Sequence, residues 1–150
     1  MVNREGHIGL TLAVTSLILQ VINVKLHESV LLILLSTSLS VLPDIDLRLE
    51  VKHRRYTHNI VVAIPISILI GLLTSHLSLS FWIGFVAGLL GFICHIAGDV
   101  LTYSSFPPLW PIVKSEVSLK LFKSNDKLVN SLFMFIGILL FLVLIVKLTS

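Results

Sequence analysis

The chain has 150 residues, of which 55% are hydrophobic and 13% are charged, and its mean hydropathy is +1.00. A soluble domain carries about 25% charged residues, so this composition excludes a soluble protein and predicts one integral membrane domain over residues 1–150. The net charge of +3 does not indicate nucleic-acid binding, because basic loops beside membrane helices follow from topology. The single cysteine, Cys94, excludes an internal disulfide and a cysteine-rich zinc site.

Apolar runs predict an all-α, polytopic transmembrane bundle of about five helices. In chain order the predicted helices cover residues 6–24, 29–42, 57–77, 80–103 and 128–148. The second has about 14 residues, fewer than the ~20 that cross a bilayer, so a tilted spanning helix and a re-entrant segment both stay open. The mixed sequence before the last helix is expected to lie along the membrane surface. Whether residues 112–127 form a lid is left open by the sequence.

The basic residues are distributed unequally between the two sides of this predicted bundle. If all five helices span, nine of the eleven lie on the side of the N-terminus: Arg4, Arg48, Lys52, Arg54, Arg55, Lys114, Lys120, Lys123 and Lys127. Only Lys25 and Lys147 lie on the other side. The positive-inside rule then predicts a cytoplasmic N-terminus, in a protein of the cell (plasma or inner) membrane.

Two motifs rich in acidic residues and histidine interrupt the apolar sequence between the second and third predicted helices. They are LPDID at residues 42–46 and HRRYTH at residues 53–58. Carboxylate oxygens and imidazole nitrogens are the ligands of hydrolytic divalent-metal sites. Thr57 is expected to be the N-cap of the third helix.

The fourth predicted helix carries a polar pair at the end of a stripe of small residues. Gly84, Gly88, Gly91, His95, Asp99 and Thr102 recur at helical spacing on one face. Small residues let membrane helices approach closely, so we expect this face to carry His95 and Asp99 into the bundle. His7 begins the first helix on the same side of the membrane, so these groups should converge with the two motifs.

We predict seven metal ligands: His7, Asp44, Asp46, His53, His58, His95 and Asp99. Of these, Asp44, Asp46, His58 and Asp99 are also predicted to act in catalysis. Arg54 and Arg55 are predicted to bind an anionic substrate, the alternative being that they only mark the cytoplasmic side. The bound group would be one to three divalent ions, with Zn²⁺ as the first choice and Mn²⁺ or Mg²⁺ as alternatives. For His95 and Asp99 the alternative is a structural hydrogen bond.

These motifs, in this order, resemble those of the YdjM-type family of small inner-membrane metal-dependent hydrolases. The family pattern is an N-terminal His, LPDxD, HRxxTH and HxxxD, which here read His7 and residues 42–46, 53–58 and 95–99, followed by a matching segment at 102–111. Leu47 departs from it, because a His often follows the second Asp. The ligand spacing is similar, more loosely, to that of zinc-dependent phospholipase C and P1-type nucleases. The resemblance implies a hydrolase.

The sequence therefore predicts an enzyme that cleaves a phosphoester of a lipid or lipid-linked substrate with metal-activated water, at a site facing the cytoplasm. No G-x-S-x-G motif is present, which favours water over a serine nucleophile. Membrane lipid is the environment and the candidate substrate, and a protein partner or homo-oligomer is left open. The alternatives are a non-enzymatic scaffold or regulator-binding protein with a structural metal and, less favoured, a metal or proton transporter.

Overall fold

The computed structural model describes residues 2–47 and 57–150, with the backbone alone for Asp46 and Leu47. Within these ranges the chain forms five α-helices and one short 3₁₀ helix, with no strand. The helices are α1 (Arg4–Val21), α2 (Leu26–Leu39), α3 (Ile60–His76), α4 (Phe81–Val100) and α5 (Lys127–Thr149), and the 3₁₀ helix (Leu42–Leu47) follows α2. The predicted all-α bundle of five helices is confirmed.

In the described part of the chain, three segments are long and apolar enough to cross a membrane. They are Leu26–Ile45, Phe81–Val100 and Lys127–Thr149, and the shorter Ile60–His76 is also apolar. The first of them joins α2 to the 3₁₀ helix in a stretch of 20 residues, which at about 1.5 Å per residue reaches the ~30 Å of a bilayer core. The second predicted helix is therefore long enough to span when the 3₁₀ turn is included.

The stripe of glycines on α4 packs against the neighbouring helices. A β-carbon at Gly91 would lie 2.8 Å from the carbonyl oxygen of Ser36 in α2, and one at Gly84 would lie 2.8 Å from the carbonyl oxygen of Ile70 in α3. Only glycine permits such close backbone approach. α2 and α3 therefore pack directly on α4, and the His95 end of the stripe is buried between helices, as predicted.

The apolar core lies at the opposite end of the bundle from His95. It is formed by Leu19 near the end of α1, Leu32 and Ile33 of α2, Ala87 near the start of α4 and Leu144 near the end of α5. α5 packs on α1 through Gly137, where a β-carbon would lie 2.5 Å from the carbonyl oxygen of Gly9. Most of α5 is exposed.

The predicted helix ends lie up to three residues from the observed ones, and two of these differences affect the surroundings of the predicted ligands. Asn59, rather than Thr57, is the N-cap of α3, because its backbone is extended and its side-chain Oδ1 accepts the N–H of Val62 at 2.8 Å. α4 ends at Val100, so residues 101–126 form an irregular segment. Two isolated bridges, Thr102 with Phe122 and Phe106 with Val117, hold this segment together.

Candidate metal centre

Five of the predicted ligands meet at one end of the bundle. His7 comes from α1, Asp44 from the 3₁₀ helix, His58 from the residues before α3, and His95 and Asp99 from α4. The three histidines and Asp99 are fully buried, and the Asp44 side chain is 18% exposed. Two overlapping trios could hold a metal ion, His7 with His95 and Asp99, and Asp44 with His58 and His95, since their ligand atoms lie within 4.8 Å of one another.

The separations between imidazole nitrogens and carboxylate oxygens suit a shared ion. His58 Nε2 lies 3.2 Å from Asp44 Oδ1 and 3.5 Å from Asp99 Oδ2. His95 Nε2 lies 3.5 Å from Asp44 Oδ1 and 3.9 Å from Asp99 Oδ2, and His7 Nε2 lies 3.6 Å from Asp99 Oδ1. Neighbouring ligands of a tetrahedral ion with bonds of about 2.0–2.2 Å are about 3.3–3.6 Å apart. Two carboxylates also supply the charge that a divalent cation would neutralise.

The orientation of His95 is set by a backbone carbonyl. Its Nδ1 lies 2.6 Å from the carbonyl oxygen of Ser40, which can only accept, so Nδ1 carries the proton. In the neutral ring Nε2 then presents a lone pair toward the oxygens of Asp44 and Asp99. Among the described residues this buried Nε2 has no hydrogen-bond partner. Acceptors facing acceptors in a buried site are stabilised by a cation between them, so the residues present fit a metal ion.

The other ligands are also held by neighbouring groups. The His7 ring stacks on that of His95, with centroids 3.8 Å apart and planes at 15°. His58 meets the same ring edge-on, and its Nδ1 lies 2.9 Å from Thr57 Oγ1, which leaves Nε2 facing Asp44. Asp99 Oδ1 accepts the backbone N–H of Val2 at 3.1 Å. Such outer contacts orient metal ligands and raise affinity.

One side of the centre is covered by the segment that follows α4. The Phe106 side chain is 1% exposed, and its ring lies edge-on 6.2 Å from that of His58. Backbone hydrogen bonds hold Phe106 to Val117, and the carbonyl of Pro108 accepts the N–H of Ile60 at 2.9 Å. Part of the region considered as a lid, residues 112–127, is thus attached to the segment covering His58.

Sequence reasoning did not identify several of these groups. The Ser40 carbonyl and the Val2 N–H are backbone atoms, which leave no mark in residue type. Phe106 could have been noticed as an aromatic residue between polar and proline residues. Thr57 was noticed, but as a helix cap rather than as a partner of His58.

The remaining predicted site residues lie outside what the structure describes. These are the Asp46 side chain, His53, Arg54 and Arg55, and their roles stay predictions. The other two histidines, His27 and His76, are exposed at the start of α2 and at the end of α3. Both positions are at the end of the bundle away from the candidate centre.

Comparison with known proteins identifies the family. The family model described as YdjM inner membrane protein matches residues 1–149. The chain belongs to the YdjM inner membrane protein family. No curated protein and no solved structure matches the chain. The family and the three apolar segments together support a location in the membrane.

Proposed function

We propose that this YdjM family member is a membrane-embedded metal-dependent hydrolase that cleaves a phosphoester of a lipid or lipid-linked substrate at the cytoplasmic interface. The observation that carries the proposal is the position of His95, held by the Ser40 carbonyl with its Nε2 turned toward two carboxylates. A buried arrangement of this kind has a clear use in binding a cation and little use in packing alone.

The ion would be held by the five described ligands, with Asp46 and His53 as further predicted ones. His95 and Asp99 are one turn apart on α4, Asp44 and His58 lie on one side of them, and His7 lies against Asp99 Oδ1. A bound Zn²⁺ or other divalent ion supplies Lewis-acid polarisation of a phosphoryl oxygen and a bound water whose pKa is lowered to about 7.

The described residues divide between holding the site closed and moving protons. Asp44 is the partly exposed member of the cluster, and its Oδ1 lies 3.2 Å from His58 Nε2. We assign to Asp44, through the carboxylate oxygen that would not hold the ion, the acceptance of the proton from the attacking water and its return to the leaving oxygen. His58 would hold the ion beside it. Burial of His7, His95 and Asp99 excludes bulk water from the other side. This strengthens electrostatic interactions within the site.

The place of the cluster supports a substrate at the membrane surface. The cluster occupies the start of α1 and the end of α4, and the apolar core fills the other end of the bundle. Nine of the eleven basic residues are predicted on the side of the cluster, which favours the cytoplasmic face and an anionic substrate.

The metal content of the purified protein tests this proposal. Elemental analysis of protein prepared without chelator should find at least one divalent ion in the wild type and none in the Asp44→Ala/His95→Ala double variant. A His27→Ala/His76→Ala double variant removes two exposed histidines and should keep the metal. A wild-type protein free of metal would refute the hydrolase. Metal-loaded protein should then release phosphate or headgroup from lipid phosphoesters.

The burial of four of the five described ligands favours one second candidate, a non-enzymatic scaffold or regulator-binding protein with a structural metal. This candidate predicts the same metal content but no hydrolysis. Metal retained by the wild type, with no turnover across a panel of lipid phosphoesters, would favour the scaffold over the enzyme.

A further inference from the structure

A surface groove lies beside the candidate metal centre. Its volume is about 560 Å³, within the range of about 300–1,000 Å³ that is usual for ligand sites. Arg4 of α1 and Asp44 line it together with the aliphatic side chains of Leu39, Val41, Leu42 and Ile45. Among the described residues, the lining of the groove therefore includes one cationic group, one carboxylate and a largely apolar wall.

Asp44 connects the groove to the buried cluster. It is the one of the five clustered ligands that retains exposure, and it both lines the groove and approaches His58 and His95 at 3.2 and 3.5 Å. A molecule bound in the groove thus reaches the accessible side of the His/Asp cluster. For this reason we interpret the groove as the route by which substrate approaches.

Arg4 is placed to bind an anion in this groove. Its side chain is exposed, and within the described ranges it forms no salt bridge. A guanidinium offers a planar set of donors that suits a phosphate group, and it remains charged at any physiological pH. The carboxylate of Asp44 lowers the affinity of the groove for an anion without abolishing the attraction of Arg4, and a cation at the cluster would offset this effect.

The apolar wall belongs to the end of a candidate membrane span. Lining residues between 38 and 45 form the last part of the candidate span Leu26–Ile45. A water-soluble phosphoester would gain little from four aliphatic side chains at this position, whereas an acyl chain would bury apolar surface against them. The combination of one cation and an aliphatic wall matches an anionic amphiphile.

We propose that this groove binds a lipid with a phosphate headgroup, with Arg4 holding the phosphate and the aliphatic wall holding part of an acyl chain. The inference deepens the proposed function and rests on it for the chemical outcome, because the groove would present the phosphoester to the Asp44 side of the cluster. The lipid would approach from within the bilayer.

Binding to metal-free protein tests the groove separately from the hydrolase. The full-length protein, treated with EDTA, is placed in phosphatidylcholine nanodiscs and titrated with long-chain phosphatidic acid. Arg4→Gln should weaken binding by about tenfold or more, because it removes a charge-assisted interaction, and Arg4→Lys should restore part of it. Lys25→Gln removes an exposed charge just before α2, at the opposite end of the bundle, and should bind as the wild type does.

A second variant tests the apolar wall without changing charge. Ser38 is exposed and lines the groove, so Ser38→Trp should fill it and weaken binding of phosphatidic acid. The matched control is Ser75→Trp, at an exposed position of α3. Unchanged binding in both Arg4→Gln and Ser38→Trp would refute the groove, as would competition by inorganic phosphate at the concentration at which the lipid binds.

A second titration uses metal-loaded protein and a phosphonate analogue of phosphatidic acid, whose carbon–phosphorus bond resists hydrolysis. This titration replaces the one on EDTA-treated protein if circular dichroism shows that metal removal unfolds the protein. Wild-type protein that holds metal but binds the lipid no better than Arg4→Gln would refute the groove alone. Wild-type protein that lacks metal but binds the lipid through Arg4 would refute the hydrolase alone.

Discussion

The Nδ1 atom of His95 donates a hydrogen bond of 2.6 Å to the carbonyl oxygen of Ser40. This bond joins the middle of the candidate metal centre to the residue that follows α2. The distance between α2 and α4 therefore sets the position of the imidazole, and that distance depends on glycine at the contact. Metal affinity and helix packing should consequently change together.

Gly91→Ala tests this coupling. The added β-carbon would lie 2.8 Å from the Ser36 carbonyl oxygen and 3.1 Å from the Ser40 nitrogen, so the backbone of α2 must shift. We expect a loss of about 1–3 kcal/mol in the free energy of unfolding and weaker zinc binding, measured by thermal melting and chelator competition. Ser131→Ala, at an exposed position of α5, should change neither. A stable Gly91→Ala variant with wild-type affinity would contradict the coupling.

Thr57→Val tests the partner of His58. The substitution keeps the shape of the side chain and removes the hydroxyl that lies 2.9 Å from His58 Nδ1. Loss of such an outer contact typically reduces metal affinity by about 10- to 100-fold, so the zinc dissociation constant should rise within that range while the fold persists. The comparison is Thr149→Val, which removes a hydroxyl that bonds only within α5 and should leave the dissociation constant unchanged.

Asn130→Leu tests how α5 holds the N-terminal segment. Asn130 is fully buried, its Oδ1 accepts the N–H of Asn3 at 3.1 Å, and its Nδ2 donates to the carbonyls of Ser124 and Asp126. Leaving these groups unpaired costs about 1–3 kcal/mol, so the melting temperature should fall.

Asn125→Ala is the control for Asn130→Leu, because Asn125 lies nearby in the sequence and is exposed. Its melting temperature should equal that of the wild type. Since Val2, which donates to Asp99, lies next to Asn3, Asn130→Leu should also weaken zinc binding. A lower melting temperature with unchanged zinc binding would show that the N-terminal segment does not support the centre.

Cysteine labelling tests the predicted orientation in the membrane. The native Cys94 is buried, so background reaction with a membrane-impermeant maleimide should be low. In intact cells Lys25→Cys should be labelled and Lys123→Cys protected, and both should react after the membrane is permeabilised. Both positions are exposed. The reverse pattern would place the N-terminus outside and would contradict a cytoplasmic site.

The sequence by itself determined the membrane class, the five helices and the face of α4 that is buried. Apolar length and helical periodicity carry this information locally, without any contact between distant residues. It also indicated that His7, Asp44, His58 and the α4 pair would meet, since ionisable groups are costly in a bilayer and are stabilised there by pairing with one another inside the bundle. The predicted helix ends were less accurate. Thr57 and Asn59 are both residue types that can cap the N-terminus of α3, and only the local backbone geometry decides between them.

The tertiary structure alone decided which atoms surround these ligands. The Ser40 carbonyl and the Val2 N–H act through the backbone, and every residue type except proline carries both groups. Phe106 reaches His58, and Arg4 shares a groove with Asp44, only because separate segments of the chain pack together. The packing of several segments around the end of α4 places these groups, and that packing is a property of how the helices meet in space rather than of any one stretch of sequence.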